Sequence, residues 1–353
     1  MNTLPFSDMN PDPADFQFLE DLATGYWYSE VLFAALELGV FDILAGGKKS
    51  ISVITAETGW QPKPLERLLN VLARIQLVGR CKDLWFNSRM AQMYLVREKP
   101  DYLGNFLVYR KYVQPAWQTL TDRIRGTNKS RMSQQVLGPD DYKARNFHYV
   151  RAMDGLSKVK AEEISRCLCK YRWDGPVLDI GGGAGSLCRS ICERKISAHG
   201  ILFDLPEVIE TAKLLYPDAR DWKKIQTLSG DFRNFEFEPD QKFGLVLMSN
   251  FFHIYSAPEA LRMMEKALSI MAEDTILVIH DYFPDRFGRR PHKGVLYDIC
   301  MLLNTYNGIC HTSENICKWL TGTGVESILT CDLSTDSSLI LAAKRSDMFN
   351  RTA

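Results

Sequence analysis

The chain has 353 residues, 46% apolar and 24% charged, the composition of an ordinary folded protein long enough for two sizeable cores. Lysine plus arginine equals aspartate plus glutamate at 43 each, so no global field calls for nucleic acid or an anionic membrane. No segment approaches the roughly 20 apolar residues of a spanning helix, and the N-terminus lacks a basic stretch followed by an apolar run, so a cytoplasmic chain without membrane or nucleic-acid partners is expected. Nine cysteines with no Cys-x-x-Cys pair read as reduced thiols rather than a zinc ribbon.

After a Pro/Asp-rich leader, Phe16 to Leu38 carries apolar residues at helical spacing, among them Leu19, Leu22, Trp27, Val31 and Leu38, with Gly39 as cap. Ile51 to Gly59 and Pro64 to Arg74 read as two short helices, and Leu77 to Phe86 as a small hairpin. Helix, turn, helix, hairpin is a winged-helix pattern. Its second helix offers only Arg67 and Arg74 beside a heavily apolar face, which argues against DNA binding. From Tyr102 to Lys170 the chain is helical and aromatic, interrupted at Gly138 and Pro139, with a frayed tail expected from Arg345 onward.

Pro176 to Gly185 is the densest signal. Val177-Leu178-Asp179-Ile180 runs into Gly181-Gly182-Gly183-Ala184-Gly185, a buried parallel strand turning sharply into a helix near Ser186. Gly-x-Gly-x-Gly after an acid differs from the dinucleotide fingerprint and from the lysine-bearing phosphate loop. A hydroxylated or cationic ligand suits the acid better. A second strand ends at Asp204, 25 residues after Asp179, where a doubly wound fold places a carboxylate to hold ribose hydroxyls. Ile225 to Ser229 leads to Gly230, Asp231 and Phe232, and a fourth strand runs from Lys242 to a histidine at its end, His253. These strand ends converge on the carboxyl edge of one sheet, where open α/β sheets bind ligands.

Asp179-Ile-Gly-Gly-Gly-Ala-Gly, then Phe203-Asp-Leu-Pro-Glu-Val-Ile, then Gly230-Asp-Phe, then an apolar strand ending in His253, resembles S-adenosylmethionine-dependent methyltransferases of the caffeate and hydroxyindole O-methyltransferase type. The resemblance covers nearly the whole chain. It implies a Rossmann-like, doubly wound α/β sheet at residues 171–346, a winged-helix-like dimerisation domain at 1–100, and a helical pocket wall at 101–170. It assigns S-adenosylmethionine to Asp179, Gly181, Gly183, Gly185, Asp204, Leu205, Gly230, Asp231, Phe232, Ser249 and Asn250, with Asp204 on the ribose and Asp231 with Phe232 framing the adenine. Tyr149, Met153, Met301 and Asn304 would face a small-molecule acceptor, and His253 would be the general base.

The family's His-Asp-Trp-Ser-Asp reads His253-Ile254-Tyr255-Ser256-Ala257 here, so the acid beside the histidine is absent. The acid expected after the fifth strand falls at His280, with Asp281 one place later, and a one-residue shift in register would put Asp281 in that role. A Glu-Arg-Thr-like segment reads Cys310-His311-Thr312. His253, His280, Cys310 and His311 lack the short spacings of a metal site, so none is expected. The expected activity is methyl transfer to a hydroxyl of a small aromatic or polyketide-like molecule by a homodimer. Carbon- or nitrogen-directed transfer and a non-catalytic cofactor-binding regulator stay open as alternatives.

Overall fold

The computed structural model describes residues 16–127, 139–238, 240–286 and 293–350. The chain divides into two compact units, Met1–Lys111 and Tyr112–Ala353.

The first unit begins with α1 (Phe16–Thr24), α2 (Tyr26–Leu38) and α3 (Val40–Ile43). The expected single helix over 16–38 is interrupted at Gly25, whose dihedrals stay helical, and Gly39 ends it at φ +69°. Next come β1 (Lys49–Ser50), α4 (Ile51–Thr58), α5 (Pro62–Arg74), β2 (Val78–Cys81), β3 (Leu84–Asn87) and α6 (Arg89–Tyr94). The hairpin β2–β3 gains β1 as a third antiparallel strand. Two residues are too few to show alternation, so β1 left no mark in the sequence. Leu36, Phe41, Leu69, Leu72 and Trp85 form the core of this unit. No residue of α1 is buried, and Phe16, Leu19, Leu22, Tyr26 and Trp27 are 57–74% exposed.

Helix α7 (Gly104–Trp117) crosses the division, and α8 (Leu120–Arg125) and α9 (Pro139–Leu168) follow. Pro139 opens α9 rather than breaking a helix, because proline's fixed φ and missing N–H suit a first turn; Gly138 lies outside the described residues. The second unit then alternates β4 (Val177–Ile180), α10 (Ser186–Arg194), β5 (Gly200–Asp204), α11 (Pro206–Leu215), β6 (Ile225–Ser229), β7 (Leu245–Ser249), α12 (Ala257–Ser269) and β8 (Ile276–Asp281). It closes with α13 (Lys293–Asn304), α14 (Ser313–Gly322), β9 (Ser327–Asp332) and β10 (Ser338–Ala343). Beyond it, residues 345–350 do not fray as expected, since Met348 is buried and Phe349 packs edge-to-face on Tyr171.

The seven strands lie in the order β6-β5-β4-β7-β8-β10-β9, parallel except that β10 runs antiparallel to both neighbours. Both faces are covered, which is why β4, β8 and β10 are buried throughout. Side chains alternate between two cores: Leu245, Leu247, Ile276 and Val278 pack with α9 and α10, while Val246, Met248, Leu277 and Ile279 pack with α12 and α14. Strands β5 and β6 extend to one side of β4 while β7 lies on the other, so the chain reverses direction between β4 and β7. In open α/β sheets such a reversal marks where ligands bind, at the carboxyl ends of the strands.

Candidate active site

The loop after β4 lies at that end of the sheet. Gly181, Gly183 and Gly185 sit at φ +68°, +60° and +83°, a region that side chains disfavour. A Cβ on Gly183 would meet nothing within 4 Å, so the loop leaves open space there. Gly182, which sequence reasoning passed over, is needed for packing: its Cβ would come within 2.6 Å of the Asp179 carboxyl and of Leu202.

Asp179 lies inside β4 rather than at its end and is 1% exposed. Neither carboxyl oxygen has a hydrogen-bond partner of good geometry. Burial first, and then the charge of Asp204, pushes its pKa up to about 7, against a weaker downward pull from the Cys188 backbone N–H and Arg189. Asp204, ending β5, accepts from the backbone N–H of Gly183 at 2.8 Å and of Leu205 at 2.7 Å. Burial raises it to about 6 and those two amides hold it back.

The other predicted cofactor residues are placed unevenly. Gly230 donates its N–H to the Asp204 carbonyl, and a Cβ there would strike the Phe235 ring at 2.6 Å. Asp231 is engaged by Arg233 two residues on, with the guanidinium at 2.5–3.0 Å and the backbone N–H at 3.0 Å. Phe232 is buried in an aromatic cluster, edge-to-face on Phe203 and Phe251, rather than offering a free face. Ser249 hydrogen-bonds His280 Nδ1 at 2.7 Å. Asn250 adopts φ +53° and its Oδ1 has no partner.

His253 stands one turn past the strand end expected for it, because β7 stops at Ser249 and Phe252–Ile254 forms a 3-10 turn. Its Nδ1 lies 2.5 Å from Asp281 Oδ1, with both residues under 5% exposed. The same carboxyl oxygen accepts the Tyr282 backbone N–H at 2.8 Å. Burial works to raise the Asp281 pKa, yet His253, the Tyr282 amide and His280 together hold it below the usual carboxylate range. Tyr297 of α13 packs edge-on against the His253 ring, centroids 5.2 Å apart, and stacks on Tyr282 at 4.1 Å. The His253 backbone carbonyl is within 2.4 Å of where a Cβ on Gly308 would lie. Nε2 carries no hydrogen bond to any described residue.

Strand alternation explains why Asp281 and not His280 meets His253. Ile276 and Val278 face α9, so His280 does too, whereas Leu277 and Ile279 put Asp281 on the side of α12 and Phe252. His280 instead bridges Ser249 and Ser337, and burial followed by Lys160 lowers its pKa to about 3, which keeps it neutral. His311 is buried against Trp319, its Nε2 unpartnered and its pKa lowered by burial. Burial drives the Cys310 thiol far up, which keeps it protonated. Among the described residues no cluster fit to hold a metal exists, and no helix is long and apolar enough to cross a membrane.

Of the predicted acceptor residues, Met301 is buried with Cys300 and Cys310, against Trp117 and Tyr297. Asn304 donates Nδ2 to the Cys300 carbonyl at 2.9 Å, which fixes its amide orientation and leaves Oδ1 without a partner. Tyr149 is 43% exposed on α9, and Met153 lies one turn further along.

Residues 20–97 match the family model of the O-methyltransferase dimerisation domain and residues 117–326 that of the O-methyltransferase domain. The 3-hydroxy-5-methyl-1-naphthoate 3-O-methyltransferase of Streptomyces sahachiroi is 25% identical, over 88% of this chain and 90% of its own. Acetylserotonin O-methyltransferase of Bos taurus is 26% identical, over 82% and 87%. Human N-acetylserotonin methyltransferase, solved in complex with SAM, superposes with a TM-score of 0.80 at 22% identity, over 96% and 99% of the two chains, a likeness of fold.

Proposed function

The chain belongs to the O-methyltransferase family, and from that premise we propose that it transfers a methyl group from S-adenosylmethionine to a hydroxyl of a small aromatic or polyketide-like acceptor, with His253 as general base. The observation that carries this reading is the buried His253–Asp281 pair at 2.5 Å.

The residues present fit the cofactor. The loop Gly181–Gly185 has room at Gly183 for a ligand to approach backbone. Asp204 spends two of its lone pairs on amides and keeps others for ribose hydroxyls. Once ionised, above about pH 7, the carboxyl of Asp179 supplies negative potential beneath the loop, favourable to a cationic ligand. When bound, S-adenosylmethionine supplies an electrophilic methyl group. Asp281, holding Nδ1–H, fixes the imidazole tautomer that leaves Nε2 as proton acceptor, and its charge stabilises the imidazolium formed when Nε2 takes the hydroxyl proton. Tyr297 and the tight packing at Gly308 limit movement of the ring.

The acceptor class rests on the relatives, which act on a hydroxynaphthoate and on acetylserotonin by name, and on the aromatic and apolar wall of Tyr297, Met301 and Trp117. The exposed apolar face of α1 and the start of α2, within the stretch that matches the dimerisation domain, supports a homodimer. The test is turnover of His253→Ala with a panel of phenols. A fall of about 10²- to 10⁴-fold in kcat with cofactor affinity unchanged is expected; undiminished turnover removes His253 from the chemistry, and transfer to nitrogen or carbon alone overturns the hydroxyl assignment.

A further inference from the structure

We propose that Asp154, on α9, is a positioning residue for the cofactor loop, acting through Ser186, Tyr216 and Arg189. Asp154 is 8% exposed although it sits mid-helix. Its Oδ1 accepts from Ser186 Oγ at 2.5 Å, its Oδ2 accepts from Tyr216 OH at 2.8 Å, and Lys158 Nζ stands 3.2 Å from Oδ2. Ser186 is the first residue of α10, directly after Gly185. Its hydroxyl is also within 3.0 Å of Tyr216 OH, closing a three-membered ring of hydrogen bonds.

Tyr216 is held from other directions as well. The Arg189 guanidinium lies 3.7 Å from its ring centroid and Lys158 Nζ lies 5.2 Å from it. Arg189 also donates to the Ala184 carbonyl at 2.6 Å, inside the glycine loop itself. Ala184 in the loop is thus tied through Arg189 to Tyr216, and Ser186 directly after the loop is tied to Asp154 on α9. This matters because glycines make the loop permissive: three of its residues occupy the left-handed region, and their backbone has no side chains of its own to fix it. A buried, charge-assisted network is what sets such a loop in one conformation before the ligand arrives.

This rests on the reading of Gly181–Gly185 as the cofactor loop. The experiment is calorimetric titration of S-adenosylhomocysteine into the full-length wild type, Asp154→Asn, Ser186→Ala, the double variant and Tyr216→Phe, well below each melting temperature, with circular dichroism to show that each is folded. The expected result is a Kd raised about 10-fold in Asp154→Asn and in Ser186→Ala, with the double variant no worse than either single, because both break one connection. Tyr216→Phe keeps the cation contacts and loses the hydroxyl, so a smaller rise is expected. A wild type that does not bind overturns the reading of the loop. A wild type that binds, beside folded variants with wild-type Kd or with independent, additive losses, overturns the role of Asp154.

Discussion

Replacing Asp179 by asparagine should change the dependence of stability on pH in a stated direction. The carboxyl is 1% exposed, unpaired, and raised from 3.8 to about 7, chiefly by burial. Moving the pKa from 3.8 to about 7 corresponds to on the order of 4 kcal/mol between the protonated and ionised forms. The sign follows from linkage. With the folded-state pKa above the unfolded one, the folded protein retains a proton between about pH 4 and 7 that the unfolded chain has released, so stability falls as pH rises through that window. Asparagine has no proton to lose. Denaturant unfolding at pH 4.5, 6 and 8 should therefore show the two proteins close at pH 4.5 and the variant more stable by up to ~4 kcal/mol at pH 8. Asp204, raised to about 6, titrates in both and largely cancels in the difference. A stability difference that stays constant from pH 4.5 to 8 would refute the assignment of a buried, strained carboxylate.

Three further outcomes are expected. Leu19→Glu with Trp27→Glu, placed on the exposed apolar face of the first two helices, should convert a dimer to monomer in sedimentation velocity while leaving the circular dichroism unchanged; a monomeric wild type contradicts this. Gly308→Ala puts a methyl within 2.4 Å of the His253 carbonyl and should lower kcat with little effect on cofactor affinity, measured by steady-state kinetics beside calorimetry. Under mild oxidation Cys167 and Cys331, with sulfurs 3.9 Å apart, should cross-link, whereas Cys188 and Cys192, one helical turn apart on α10, should not; peptide mapping by mass spectrometry distinguishes the two.

Much of the fold was legible because its signals are local. Apolar runs ending in acids marked β4 and β5, and Gly-x-Gly-x-Gly marked the turn between β4 and α10. Asp281 as the partner of His253 was legible only as an alternative. Ile276-Leu-Val-Ile is apolar at every position because both faces of the sheet are covered, so nothing in the string tells which face His280 or Asp281 takes. Asp154 was missed for a different reason. An acid beside Gly155 and near Lys158 reads as a solvated helix face, and its partners lie 32 and 62 residues away. The pairing of Asp231 with Arg233 was in the sequence at a spacing of two, but whether such neighbours meet depends on the turn that follows β6. Local patterning marked the strands and the glycine turn; alternation and long-range contacts decided which side chain faced which.

In the proposed mechanism His253, held by Asp281, removes the proton from an acceptor hydroxyl. The direct measurement is kcat for wild type, His253→Ala and Asp281→Asn with S-adenosylmethionine and the best phenolic acceptor, with the product identified by mass spectrometry and S-adenosylhomocysteine affinity measured alongside. The expected result is an O-methylated product, kcat lowered about 10²- to 10⁴-fold in His253→Ala and by a smaller factor in Asp281→Asn, and cofactor affinity unchanged in both. Full turnover in His253→Ala, or a product methylated elsewhere than on oxygen, would contradict it.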